Sequence, residues 1–150
     1  MDLISYIHLT FAITGLLSGL TVLARKKGDV FHTWLGKIFV ASMILVNLTA
    51  FAFWPEYGFT FFQPLAVLNL VWVLLGYYYA VKKPHKKWLS YHYYFFTYAY
   101  LGVLAAATAR IPIVLGLSLG ISTLIAMVAV FGIGAYFIEK NAKKIAAISV

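Results

Sequence analysis

Five apolar stretches of about twenty residues each, separated by short charged or aromatic turns, take up nearly the whole of this 150-residue chain. This pattern constrains the fold more than any motif does. A bilayer core about 30 Å thick needs about twenty apolar residues in a helix that rises 1.5 Å per residue. The stretches run from about 3 to 24, 30 to 53, 59 to 81, 88 to 110 and 112 to 138. Lipid offers the backbone no hydrogen bonds, so the expected fold is an all-α integral membrane bundle of five transmembrane helices in a single domain. With 63% hydrophobic and only 11% charged residues, a soluble domain of this size is excluded.

The charges orient the chain. Of twelve Lys and Arg, all but Arg110 lie on the side that holds the turns at 25–29 and 82–87 and the C-terminus. By the positive-inside rule the N-terminus is expected outside and the C-terminus in the cytoplasm. MDLISYIHLT lacks a basic region and a small-residue cleavage site, and reads as a retained helix. The +8 charge sits in short loops between spans. That placement suits anionic lipid headgroups on the lysine-rich face and argues against nucleic acid. With no cysteine, thiolate ligands and thiol chemistry are excluded.

Candidate chemistry rests on intramembrane polar residues, which are costly against lipid. The stretch Pro84 to Pro112 places His85, His92, Ala99, Val103, Ala106 and Arg110 along one helical stripe. His8 lies about two turns into the first span. His32 and His92 lie near the other membrane face, with Asp29 and His85 nearby. The two levels are then roughly 15 Å apart, too far for one metal ion with bonds of about 2 Å.

At the inner level His32 and His92 are candidate ligands of haem b, or of a transition metal if not haem. Surrounding lysines would repel a bare cation and attract haem propionates, which favours haem. His85 reads as an interfacial residue. At the outer level His8 is a further cofactor-binding candidate, and Arg110, Asn47 and Asn69 are substrate-binding candidates, with Gln63 beside them. Asn47 and Asn69 read first as interhelical hydrogen-bonders. The tyrosines of the fourth span read as interfacial belt and interhelical filler. The pairs Gly15/Gly19 and Gly116/Gly120 read as close-packing faces, and Gly132 and Gly134 as points of flexibility.

The segments YIHLTFAITGLLSG and KKGDVFHTWLGKIFVASMILVNLTAF, followed by W-x-x-x-H and a later A-R-I-P, resemble a family of predicted bacterial multi-pass membrane proteins, domain of unknown function 2306. The resemblance covers roughly residues 5 to 112. Its marks fall on His8, Gly15, His32, Gly36, His92 and Arg110. The family pattern has Arg after the second His, where this chain has Thr33. The resemblance implies a multi-pass protein of the bacterial cytoplasmic (inner) membrane, with no assigned activity.

Two function classes stay open. One is a haem- or metal-linked redox subunit. The other is a cofactor-free transporter or an accessory or structural subunit, with a small polar outer pocket, in a homo-oligomer or larger complex.

Overall fold

The computed structural model describes residues 3–53, 55, 58–109, 111, 116 and 118–148. Among these, all regular structure is helical: α1 Leu3–Ala24, α2 Val30–Ala52, α3 Phe62–Lys82, α4 Trp88–Thr108 and α5 Leu119–Ile148. Four of the helices are long and apolar enough to cross a membrane, and the tyrosine-rich α4 is also long and largely apolar. The chain forms two compact units, residues 1–74 and 75–150, with the boundary inside α3.

The exposed surface is rich in large apolar side chains, and several polar ones are buried beside the apolar core. Exposed positions include Leu17, Val30, Leu124 and Val128, each above 60% accessible. Buried positions include Ser18, Ser42, Asn47, Gln63, Asn69, Thr97, Ser122 and Thr123. Apolar side chains facing out and polar ones facing in suit a lipid solvent, which solvates the first and would penalise the second.

In the first unit α1 packs on α2. Gly15 and Gly19 are both buried, as expected of a close-packing face. A Cβ at Gly15 would stand 2.3 Å from the Met43 methyl, so Met43, fully buried, fills the place of the missing side chain. The connection between the two helices is capped at both ends. The Lys27 ammonium donates to the Leu23 carbonyl (2.8 Å) and to the Val22 carbonyl, which closes the end of α1. Burial pulls this ammonium below the usual lysine range. Gly28 turns the chain at φ +88°, a left-handed conformation that favours glycine. Asp29 then caps α2, its carboxylate accepting from the His32 amide at 2.6 Å. It also sits 3.8 Å from Arg25. The expected cost of Asp29→Ala is about 1–2 kcal/mol, with Asp29→Asn far milder, read from unfolding in detergent.

α3 begins at Phe62, three residues later than expected. Thr60 and Gln63 form the reason: Gln63 Oε1 accepts from the Thr60 amide (2.8 Å) and hydroxyl (2.6 Å). The Thr60 hydroxyl also accepts from the Phe62 amide at 3.3 Å. This is a capping box of the Thr-x-x-Gln type, and it marks a helix start.

In the second unit α4 packs on α5, antiparallel, since Tyr93 meets Ile138 while the later Leu101 meets the earlier Gly134. Gly134 makes this possible. A Cβ there would fall 2.4 Å from Leu101 Cδ1, so Gly134 is a packing position and not a flexible joint. Gly132 meets nothing within 4 Å. A Cβ at Gly116 or Gly120 would meet nothing within 4 Å among the described residues, and Gly116 has φ +86°. That left-handed turn stops a helix from running through, so α5 as described begins at Leu119, with the Ser118 hydroxyl accepting from the Ile121 amide (3.4 Å). The expected start at Pro112 lies outside the described residues. At its far end α5 continues ten residues past Ile138 to Ile148. After Gly134 no glycine or proline interrupts it, Ala and Lys are good helix formers, and lysines suit a helix C-terminus.

Candidate functional site

Each intramembrane polar group can be built from the helix that carries it. His92 lies one turn into α4, flanked at i−4 and i+4 by Trp88 and Phe96, whose ring centroids are 6.4 and 4.9 Å away. Its Nδ1 lies 3.0 Å from the Gly76 carbonyl of α3. Carbonyl oxygen only accepts, so Nδ1 carries the proton. Gly76 allows the approach, because a Cβ there would stand 3.0–3.2 Å from the Phe96 ring. The sequence reading missed Gly76. Its signal was a glycine inside a bulky helix, facing an aromatic pair spaced i, i+4.

His8 is placed in a similar way in the first unit. Its Nδ1 is 2.8 Å from Thr49 Oγ1, and its ring lies edge-on to Phe53 at 5.3 Å. The Thr49 hydroxyl already donates to the Leu45 carbonyl at 2.7 Å, so it accepts from His8. Thr49 also went unnoticed in the sequence, as one threonine among many. Since Thr49 is seventeen residues beyond His32 on α2, His8 and His32 lie about 25 Å apart along that helix. The separation of histidines into two levels therefore holds within this unit, and is wider than expected.

Asn47 and Asn69 meet directly. Asn47 Nδ2 donates to Asn69 Oδ1 at 2.9 Å and to the Met43 carbonyl at 2.8 Å, and both residues are buried. This is the interhelical bond that the sequence reading put first. Gln63, placed beside them at the outer level, is instead engaged by Thr60 at the start of α3. Arg110 lies outside the described residues.

The histidine cluster expected at the inner level is not supported. Among the described residues no group of three His, Cys, Asp or Glu side chains is placed to hold a metal ion. The reason is local. Asp29 is committed to the α2 cap. His85 packs edge-on against Tyr79 (5.5 Å) and Tyr91 (5.1 Å), which stack on each other at 4.9 Å. His92 instead turns to Gly76. The tyrosines act largely as interhelical filler: Tyr93 donates to the Ile138 carbonyl and Tyr94 to the Glu139 carboxylate, both at 3.1 Å.

No curated protein and no solved structure matches the chain. A family profile described as Predicted membrane protein (DUF2306) matches residues 5–143, well beyond the stretch from 5 to 112 that carried the resemblance. Five long apolar helices, an apolar exterior and a match over nearly the full length place this chain in the DUF2306 family of predicted membrane proteins.

Proposed function

We propose that this multi-pass membrane protein is a redox subunit that binds haem through His92. One observation carries the reading: the hydrogen bond from His92 Nδ1 to the Gly76 carbonyl. With the proton held on Nδ1, the neutral ring has its lone pair on Nε2. Metal-ligating histidines are oriented in this way by a carbonyl or carboxylate behind the ring. Trp88 and Phe96 add flat apolar surface beside the imidazole, suited to a porphyrin. His8, anchored by Thr49 in the same sense, is the second such imidazole. His32 is the other inner-level candidate.

Haem fits better than a bare ion. A protein-held zinc site takes three or four side-chain ligands, whereas haem iron needs one or two. When bound, haem would supply one-electron chemistry, and the chain would supply the His92 imidazole, held in orientation by the Gly76 carbonyl. The lysine distribution supports a cytoplasmic-membrane location with the N-terminus outside.

The test is the visible spectrum of protein purified with haem supplied during expression. A Soret band is expected, lost or shifted in His92→Ala and weakened in Gly76→Ala, which displaces Phe96. Colourless wild-type protein without iron overturns the reading.

One observation favours a second reading, an accessory subunit without cofactor. Asn47 and Asn69 satisfy each other inside the protein, which leaves them as packing groups and not as substrate ligands.

A further inference from the structure

The second unit has a strongly basic end assembled from two segments far apart in sequence. The turn between α3 and α4 carries Lys82, Lys83, Lys86 and Lys87, all exposed. The last turns of α5 carry Lys140, Lys143 and Lys144, also exposed. The contacts Tyr93–Ile138 and Tyr94–Glu139 set the register between α4 and α5. Because the helices run antiparallel, each residue past Glu139 moves about 1.5 Å toward the start of α4. Lys143 and Lys144 therefore reach the level of Trp88 to Ser90. Ala142, 7% exposed, shows that α5 is still packed there.

Seven lysines thus stand at one end of one unit, and Glu139 is the single acidic residue of the chain after position 75. Glu139 itself accepts from Tyr94. Among the described residues none of these lysines forms an ion pair, and they stand at a level ringed by Trp88, Tyr79 and Tyr91. Tryptophan and tyrosine belong at the headgroup layer of a bilayer. Lys83 reaches over the Trp88 ring, 4.8 Å from its centroid, which ties the turn to the start of α4.

We propose that the turn at 82–87 and the last turns of α5 together form a binding site for the phosphate of an anionic phospholipid. The occupant is a lipid and not a soluble anion, because the lysines adjoin exposed apolar and aromatic residues at the end of α3 and along α5, a surface suited to acyl chains. Val81, Tyr136 and Phe137 are exposed there. The site would hold an anionic lipid in preference to a zwitterionic one, and is independent of the haem reading.

The experiment is native mass spectrometry of the full chain from detergent containing equal phosphatidylglycerol and phosphatidylcholine. Each lysine near a membrane surface favours anionic lipid by about fivefold. Wild type should retain phosphatidylglycerol over phosphatidylcholine by about tenfold or more. Two variants probe the two segments separately: Lys140→Gln/Lys143→Gln/Lys144→Gln and Lys82→Gln/Lys86→Gln/Lys87→Gln. Each should lower the ratio by about fivefold or more, and either alone suffices if the other does not fold. The control Arg25→Gln/Lys26→Gln, in the first unit, should leave it unchanged. Equal retention of both lipids by wild type overturns the proposal. So does a ratio in the α5 variant no lower than in the control, or displacement of the lipid by millimolar inorganic phosphate.

Discussion

Gly134→Leu is expected to break the contact between α4 and α5. A Cβ at Gly134 would lie 2.4 Å from Leu101 Cδ1, 2.6 Å from Cδ2 and 3.1 Å from Cγ. The obstruction includes the branch carbon of a buried leucine, so rotating one methyl does not clear it. Even alanine would cost about 1–3 kcal/mol, as overpacking in a filled interior does. Leucine adds three more carbons to the same gap and should cost more than that. Unfolding in detergent would measure the loss. Two comparisons make the result specific. Gly132→Ala, which meets nothing within 4 Å, should be neutral or slightly stabilising, since alanine is the better helix former. Leu101→Ala should restore part of the stability in a Gly134→Ala background, with a coupling of about 1 kcal/mol or more. If Gly132→Ala and Gly134→Ala behave alike, the packing described for this unit is wrong.

Asn47→Asp should destabilise the first unit by about 3 kcal/mol at neutral pH, with almost no change in side-chain shape. The substitution removes the amide that donates to Asn69 Oδ1 and to the Met43 carbonyl. Two acceptors then face an oxygen. Asn69 can turn its amide around to donate, but the Met43 carbonyl gains nothing and a carboxylate still lies at a position only 5% exposed. Asn47→Leu removes the same bond without burying charge. It should cost about 1 kcal/mol, in keeping with interhelical hydrogen bonds measured in membranes. The gap between Asp and Leu is the informative quantity. Equal effects would mean that Asn47 reaches water or headgroups, and the outer-pocket reading of these residues would return.

The helices were legible because their cause is written locally. A run of twenty apolar residues needs no tertiary information to be excluded from water, and short turns of Lys, Gly and Asp end such runs by chemistry that lies within a few residues. Seven helix starts or ends fell within two residues of expectation for this reason, at Leu3, Ala24, Val30, Ala52, Lys82, Trp88 and Thr108. The misplaced ends also had local causes that hydropathy does not weigh. The Thr60–Gln63 capping box delays α3, and the left-handed Gly116 turn precedes α5. The length of α5 past Ile138 was misjudged because lysines were read as the end of a span. They end burial in lipid, but they do not end a helix.

The candidate site was only partly legible. Helical periodicity gives the face on which His92 lies, but not what stands opposite it. That Gly76 offers its carbonyl, that His85 turns to tyrosines, and that Gly134 rather than Gly132 receives Leu101 are set by which helix comes close and in what register. Those are long-range facts, fixed by side-chain volumes meeting across a gap. Composition and charge alone determined that this chain is a membrane protein of long helices, because the solvent acts on each segment separately. Tertiary packing decided which polar groups meet, because a hydrogen bond in an apolar interior depends on a partner within about 3 Å that no single segment can specify.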